Sequence, residues 1–119
     1  MSAADHQTLR ILDGHYVLER LTTAAPQTDV LATVHGPDGG ARMRRDDSAT
    51  ADTWVALWNG DAAHPPEATG MLAAIVASLA AGGVPVWTAA SYDGDIVLVP
   101  QDRFADATQL LRGAGHAIS

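Results

Sequence analysis

The sequence predicts an α+β fold, an antiparallel sheet with helices on one face. Three observations carry this. From Ala68 to Pro100 (ATGMLAAIVASLAAGGVPVWTAASYDGDIVLVP) a helical segment, a glycine pair and two short apolar runs follow one another. Leu72, Ile75, Val76 and Leu79 recur at i, i+3, i+4 and i+7, the spacing of one buried helical face. A second segment near the C-terminus puts Phe104, Ala107, Thr108 and Leu111 on a single face as well. From Thr53 onward the elements then run β-α-β-β-α-β, the order of a ferredoxin-like unit.

In chain order, residues 1–7 are polar and are expected to fray. Asp13-Gly14 turns the chain into a strand at Tyr16 to Leu21. Thr22 to Asp29 is a polar connector with room for one helical turn, and Val30 to His35 is the next strand. Gly36-Pro37-Asp38-Gly39-Gly40 is a strong turn signal, after which Arg42 to Arg45 returns antiparallel. The polar run Asp46 to Asp52 marks a boundary. In the strand Thr53 to Trp58, Trp54, Ala56 and Trp58 share one face and Val55 and Leu57 the other.

Asn59 to Pro66 is a loop, and Pro65-Pro66 keeps the helix at 70–81 from starting early. Gly82-Gly83 followed by Pro85 stops that helix. Strands at Pro85 to Ala90 and Ile96 to Val99 flank the polar turn Ser91 to Asp95. Asp102 is placed to cap the helix at 103–112, Gly113 and Gly115 end it, and His116-Ala117-Ile118 is a short edge strand. The N-terminal elements give an abbreviated copy, β-turn-β-β. No sequence repeat links the two halves.

Composition narrows the function. The 119 residues are 47% hydrophobic and 18% charged, which is globular rather than disordered. A net charge of −7, with only seven basic residues, all of them arginine, argues against a nucleic-acid partner. The absence of cysteine removes disulfides, thiolate metal sites and a cysteine nucleophile. The opening MSAADHQT lacks the basic and apolar parts of a signal segment, and the helix at 70–81 is too short to span a bilayer. A soluble cytoplasmic protein, with no membrane partner, is expected.

Two places carry possible chemistry. Thr69-Gly70-Met71 opens the first helix, where free N–H groups favour an anion such as a carboxylate. Thr69 is equally well an ordinary N-cap. The turn Ser91-Tyr92-Asp93-Gly94-Asp95 lies near that helix start in a ferredoxin-like unit. There Asp95 is placed to grip an amino or guanidinium group, while Asp93-Gly94 also suits a plain hairpin turn. Together the two places match the charge pair of an amino acid.

The other polar and aromatic residues read more plainly. Trp54, Trp58 and Trp87 suit a core or interface, the first two a sheet-to-helix core or a dimer seam. His6, His15, His35, His64 and His116 show no metal-ligand spacing, and no phosphate-binding loop or nucleophile elbow is present, so no metal or cofactor is expected. Arg42 to Arg45, followed by Asp46-Asp47, reads as a solvated strand face with local ion pairs or as a surface for an anionic partner.

The stretches Thr69-Gly70-Met71-Leu72-Ala73, Gly83-Val84-Pro85-Val86 and Ser91 to Val99 resemble the ACT-domain proteins of the CASTOR type. In those proteins a run S-x-T-G-x-L-A-x-L, then AGI-x-I-x-x-x-S-T-Y-D-T-D-Y-x-L-V, recurs. Leu9 to Pro26 (LRILDGHYVLERLTTAAP) is similar to the opening L-x-L-L-P-G-x-Y-A-V-x-R-L-x-P-x-A-P of small bacterial members. The resemblance implies tandem ACT units: an abbreviated N-terminal one at 8–48 and a complete βαββαβ unit at 53–119. It also implies a ligand role for Asp95, which matches the family's Asp. Ala90, Ser91 and Gly94 stand where the family has Ser, Thr and Thr, so two hydroxyls are lost.

The resulting expectation is a small-ligand-binding regulatory protein, an amino-acid sensor, acting as a homodimer without catalytic residues. Its ligand would contact Thr69, Gly70, Met71, Ser91, Tyr92, Asp93, Gly94 and Asp95. One rival is a small biosynthetic enzyme that uses Asp95, Asp93 or Tyr92 for acid-base chemistry in a ferredoxin-like pocket. Another is a dimerisation module with no ligand.

Overall fold

The computed structural model describes residues 3–21, 28–65 and 67–119. Among the described residues, eight strands form one curved sheet: β1 (Thr8–Ile11), β2 (Tyr16–Arg20), β3 (Val30–Val34), β4 (Ala41–Arg45), β5 (Trp54–Trp58), β6 (Trp87–Ala90), β7 (Asp95–Pro100) and β8 (Ala117–Ile118). Helices α1 (Met71–Ala81) and α2 (Phe104–Gly113) lie on one side. The pairing is antiparallel except where β8 runs parallel to β1. The fold is α+β and the curvature of its sheet makes it barrel-like.

Alternation along the strands sorts the core into two halves. Leu9, Val55, Leu57, Val97 and Val99 face the helices, where Ile75, Leu79, Ala107 and Leu111 meet them. Each side chain of Leu size buried there contributes roughly 1.5–3 kcal/mol. Ala56, Ile96 and Leu98 face the opposite way and are covered by Tyr16, Leu18, Leu31 and Met43 of the β2–β4–β3 meander. β7 is therefore enclosed on both faces, which is why it reads Ile-Val-Leu-Val rather than alternating with polar residues.

Several local expectations hold. Ile75 and Leu79 are fully buried, and Leu72 packs partly against them. The stop after α1 is a Schellman motif: Val84 N–H donates to the Leu79 carbonyl and Gly83 N–H to that of Ala80, both at 3.0 Å. Gly83 supplies the left-handed φ of 72° that this motif needs. In the turn at 36–40, Gly39 N–H donates to the Gly36 carbonyl.

Others change. Residues 3–7 do not fray: a 3-10 turn at Ala3–Asp5 packs on α1, and Ala4 and Gln7 are buried. Thr8–Ile11, with no strand expected, inserts Leu9 into the core and separates β5 from β8, the neighbours they would be in a self-contained βαββαβ unit. Trp54 and Trp58 pack under the N-terminal meander rather than against helices, because their parity places them on that face. Asp102 does not cap α2, since Gln101–Arg103 forms a 3-10 turn and Arg103 takes the cap position. Arg42 is not solvated but fully buried, and it shares the Glu19 carboxylate with Arg44. The helical turn expected within 22–29 lies outside the described residues at 22–27, as does Pro66.

Candidate functional site

β1, β5 and β7 lie side by side, and each carries one polar residue at the same end on the helix-facing side. On β5 and β7 the register pairs Trp58 with Ile96, so the next residues, Asn59 and Asp95, stand opposite each other. On β1 the parity of Leu9 places Gln7 on the same face. Gln7, Asn59 and Asp95 are all buried. Buried polar groups require partners, and these three largely partner one another.

Asn59 Oδ1 accepts the Asp95 N–H at 2.6 Å, while Asn59 Nδ2 donates to Asp95 Oδ2 at 3.3 Å and to Gln7 Oε1 at 2.8 Å. Gln7 Nε2 then donates to the carbonyls of Ala4 at 2.9 Å and Met71 at 2.8 Å. The chain of contacts thus runs from Asp95 to the first residue of α1. Below it, Gln7 N–H donates to Nδ1 of buried His116, whose pKa burial lowers.

The start of α1 is bare of side chains. Gly70 occupies the cap position with φ 80°, no side chain caps it, and the first turn holds no acidic residue. A free helix start of this kind accepts an anion. Across from it, Gly94 presses on Gly60: a Cβ at Gly94 would lie 2.4 Å from the Gly60 Cα. That contact holds the Ser91–Asp95 turn against the loop after β5. His64 adds to it, its N–H donating to the Asp93 carbonyl at 3.3 Å, and Arg10 ties the loop to β1 through Asp61 at 2.7 Å.

Of the residues singled out in the sequence, Met71 and Asp95 are joined through Gln7 and Asn59. Gly94 is buried beside them. Thr69 and Gly70 are exposed at the helix start, and Thr69 does not occupy the cap position. Ser91, Tyr92 and Asp93 are exposed on the hairpin, Tyr92 by 79%. Ser91 N–H closes the turn on the Gly94 carbonyl at 2.8 Å. Gln7, Asn59 and His64 escaped the sequence reading. Asn59, a polar residue directly after an apolar strand, was the one signal available.

A cleft of about 940 Å³ opens at the other end of the sheet, lined by Asp52, Trp54, Pro85, Pro100 and Asp102 among others. It shares no residue with the polar row. Volume favours that cleft, whereas the buried acceptors and the uncapped helix start lie at the polar row.

The profile of the ACT domain matches residues 49–113, more than half of the chain. The chain belongs to the ACT-domain family. The matched segment holds β5 through α2 and, within it, Asn59, Met71 and Asp95. No curated protein matches this ACT-domain chain. Among solved structures it is similar to protein Atu0741 from Agrobacterium tumefaciens, with a TM-score of 0.76 and 23% identity over 96% of this chain and 92% of the other. It is also similar to VC0802 from Vibrio cholerae, described as a protein of unknown function and possible transport protein. There the TM-score is 0.72 and the identity 19%, over 91% of this chain and 89% of the other. At these identities the likeness concerns the fold. Among the described residues of this ACT-domain protein, no helix is long and apolar enough to cross a membrane.

Proposed function

We propose that this ACT-domain protein is a regulatory small-ligand binder, a cytoplasmic amino-acid sensor. The observation that carries the reading is the link between Met71 and Asp95 through Gln7 and Asn59, which holds a free helix start and a buried carboxylate at one end of the sheet. The carboxylate of an α-amino acid takes the N–H groups at the start of α1, and its ammonium takes Asp95. Residues 8–48 act as an abbreviated ACT-like unit beside the unit at 53–119, and Arg10 ties the loop after β5 to it through Asp61. Exposed Ile11, Val34 and Trp87 supply apolar surface for a homodimer.

A thermal-shift screen of the twenty common amino acids at millimolar concentration tests the reading. One or a few amino acids raise the melting temperature. If none does, the sensor reading fails. In the acid-base alternative, Tyr92 and Asp93 stand on an exposed turn, which leaves buried Asp95 as its acid-base group.

A further inference from the structure

His64 reaches the polar row from the loop between β5 and α1. The Asp93 carbonyl and the contact between Gly60 and Gly94 fix that loop on the β6–β7 turn. As a result His64 Nε2 stands 3.9 Å from Asp95 Oδ2, with only 17% and 11% of the two side chains exposed. Nε2 itself is buried and has no hydrogen-bond partner among the described residues. A separation of 3.9 Å is too long for a hydrogen bond, and a buried polar atom left unpaired is costly.

Two acceptors facing each other at this distance suit a single nitrogen that donates twice. A nitrogen at about 2.9 Å from each atom sees them at an angle somewhat below tetrahedral, which a small turn of the imidazole relieves. We propose that His64 is the second acceptor for the ligand's ammonium group: one N–H goes to Asp95 Oδ2 and another to His64 Nε2. The proposal rests on the amino-acid reading above and narrows it to ligands whose ammonium carries at least two N–H bonds, primary or secondary, since a tertiary or quaternary nitrogen cannot donate twice.

Neutral imidazole with its proton on Nδ1 offers Nε2 as an acceptor, whereas the imidazolium offers none. Protonated His64 would instead pair with Asp95 and compete for the same carboxylate. The titratable residues around it are Asp95 of β7 and Asp93 of the turn, while Asp61 on its own loop is engaged by Arg10.

The test titrates an equimolar mixture of the twenty amino acids against wild type, His64→Leu, His64→Gln and Asp95→Ala, followed by thermal shift at neutral pH. His64→Leu requires about tenfold more of the mixture than wild type. His64→Gln keeps an acceptor oxygen, so it responds near the wild-type concentration. If His64→Leu responds like wild type while Asp95→Ala does not, the role of His64 is overturned and the site stands. If the mixture stabilises no protein, the amino-acid reading falls and takes this inference with it.

Discussion

Asn59 and Asp95 are joined by three hydrogen bonds across neighbouring strands. The Asn59 N–H donates to the Asp95 carbonyl at 3.3 Å, the Asp95 N–H to Asn59 Oδ1 at 2.6 Å, and Asn59 Nδ2 to Asp95 Oδ2 at 3.3 Å. The side chain of Asn59 thus completes a pair of backbones and at the same time fixes the carboxylate on which the proposed site depends. Replacing it removes both effects together.

Asn59→Ala leaves the Asp95 N–H and Gln7 Oε1 buried without those partners, a loss of about 3 kcal/mol. The melting midpoint is expected to fall by roughly 10 °C. Asn59→Asp should fare no better, because it brings a second carboxylate against Asp95 and cannot donate to Gln7. Urea unfolding of both variants checks this, and a loss below about 1 kcal/mol would mean that the row contributes little.

Gly94→Ala and Gly113→Ala are expected to act in opposite directions. A Cβ at Gly94 meets the Gly60 backbone at 2.4 Å, so the turn and the loop must separate at a cost of about 1–3 kcal/mol. At Gly113, in the last turn of α2, nothing lies within 4 Å. There a methyl group only restricts the unfolded chain, and the gain is about 0.5–1 kcal/mol. Denaturant midpoints measured on the two variants would show one falling and the other rising.

Burial lowers the pKa of His116 below its ordinary value of 6.5. The native state therefore binds this proton less readily than the unfolded chain. The contribution is fully present above about pH 6.5 and is lost as the pH falls toward the native pKa. His116→Gln can still accept the Gln7 N–H and donate to the Ala74 carbonyl, the bond that His116 makes. Unfolding free energies of the two proteins should converge on acidification through this range. Parallel curves would remove His116 from the pH response.

The C-terminal half was largely legible in the sequence, because its periodicities are unbroken. Helix α1 carries Leu72, Ile75 and Leu79 at helical spacing, and Gly83 sits where its stop requires a left-handed residue. Strand β1 was not legible: Thr8–Ile11 is short and only Leu9 is buried, so its partners β5 and β8 define it rather than its own pattern. The same holds for the N-terminal segment, where Gln7 looks like a polar tail residue until Asn59 and Met71 are brought beside it. Asp95 could be read from its position after a turn, but Asn59 and His64 gain meaning only from register and loop packing. The burial of Arg42 was hidden for a related reason, since its partner Glu19 lies on a different strand.

In the proposed function, an amino acid binds between the start of α1 and Asp95. Backbone amide chemical shifts, followed by NMR while the amino acid that gives the largest thermal shift is added, test it most directly. The largest changes are expected at Gly70, Met71 and Leu72 and at Gly94 and Asp95, with smaller ones at Asn59 and Gln7. Changes centred instead on Asp52, Trp54 and Asp102, around the cleft at the opposite end of the sheet, would contradict it.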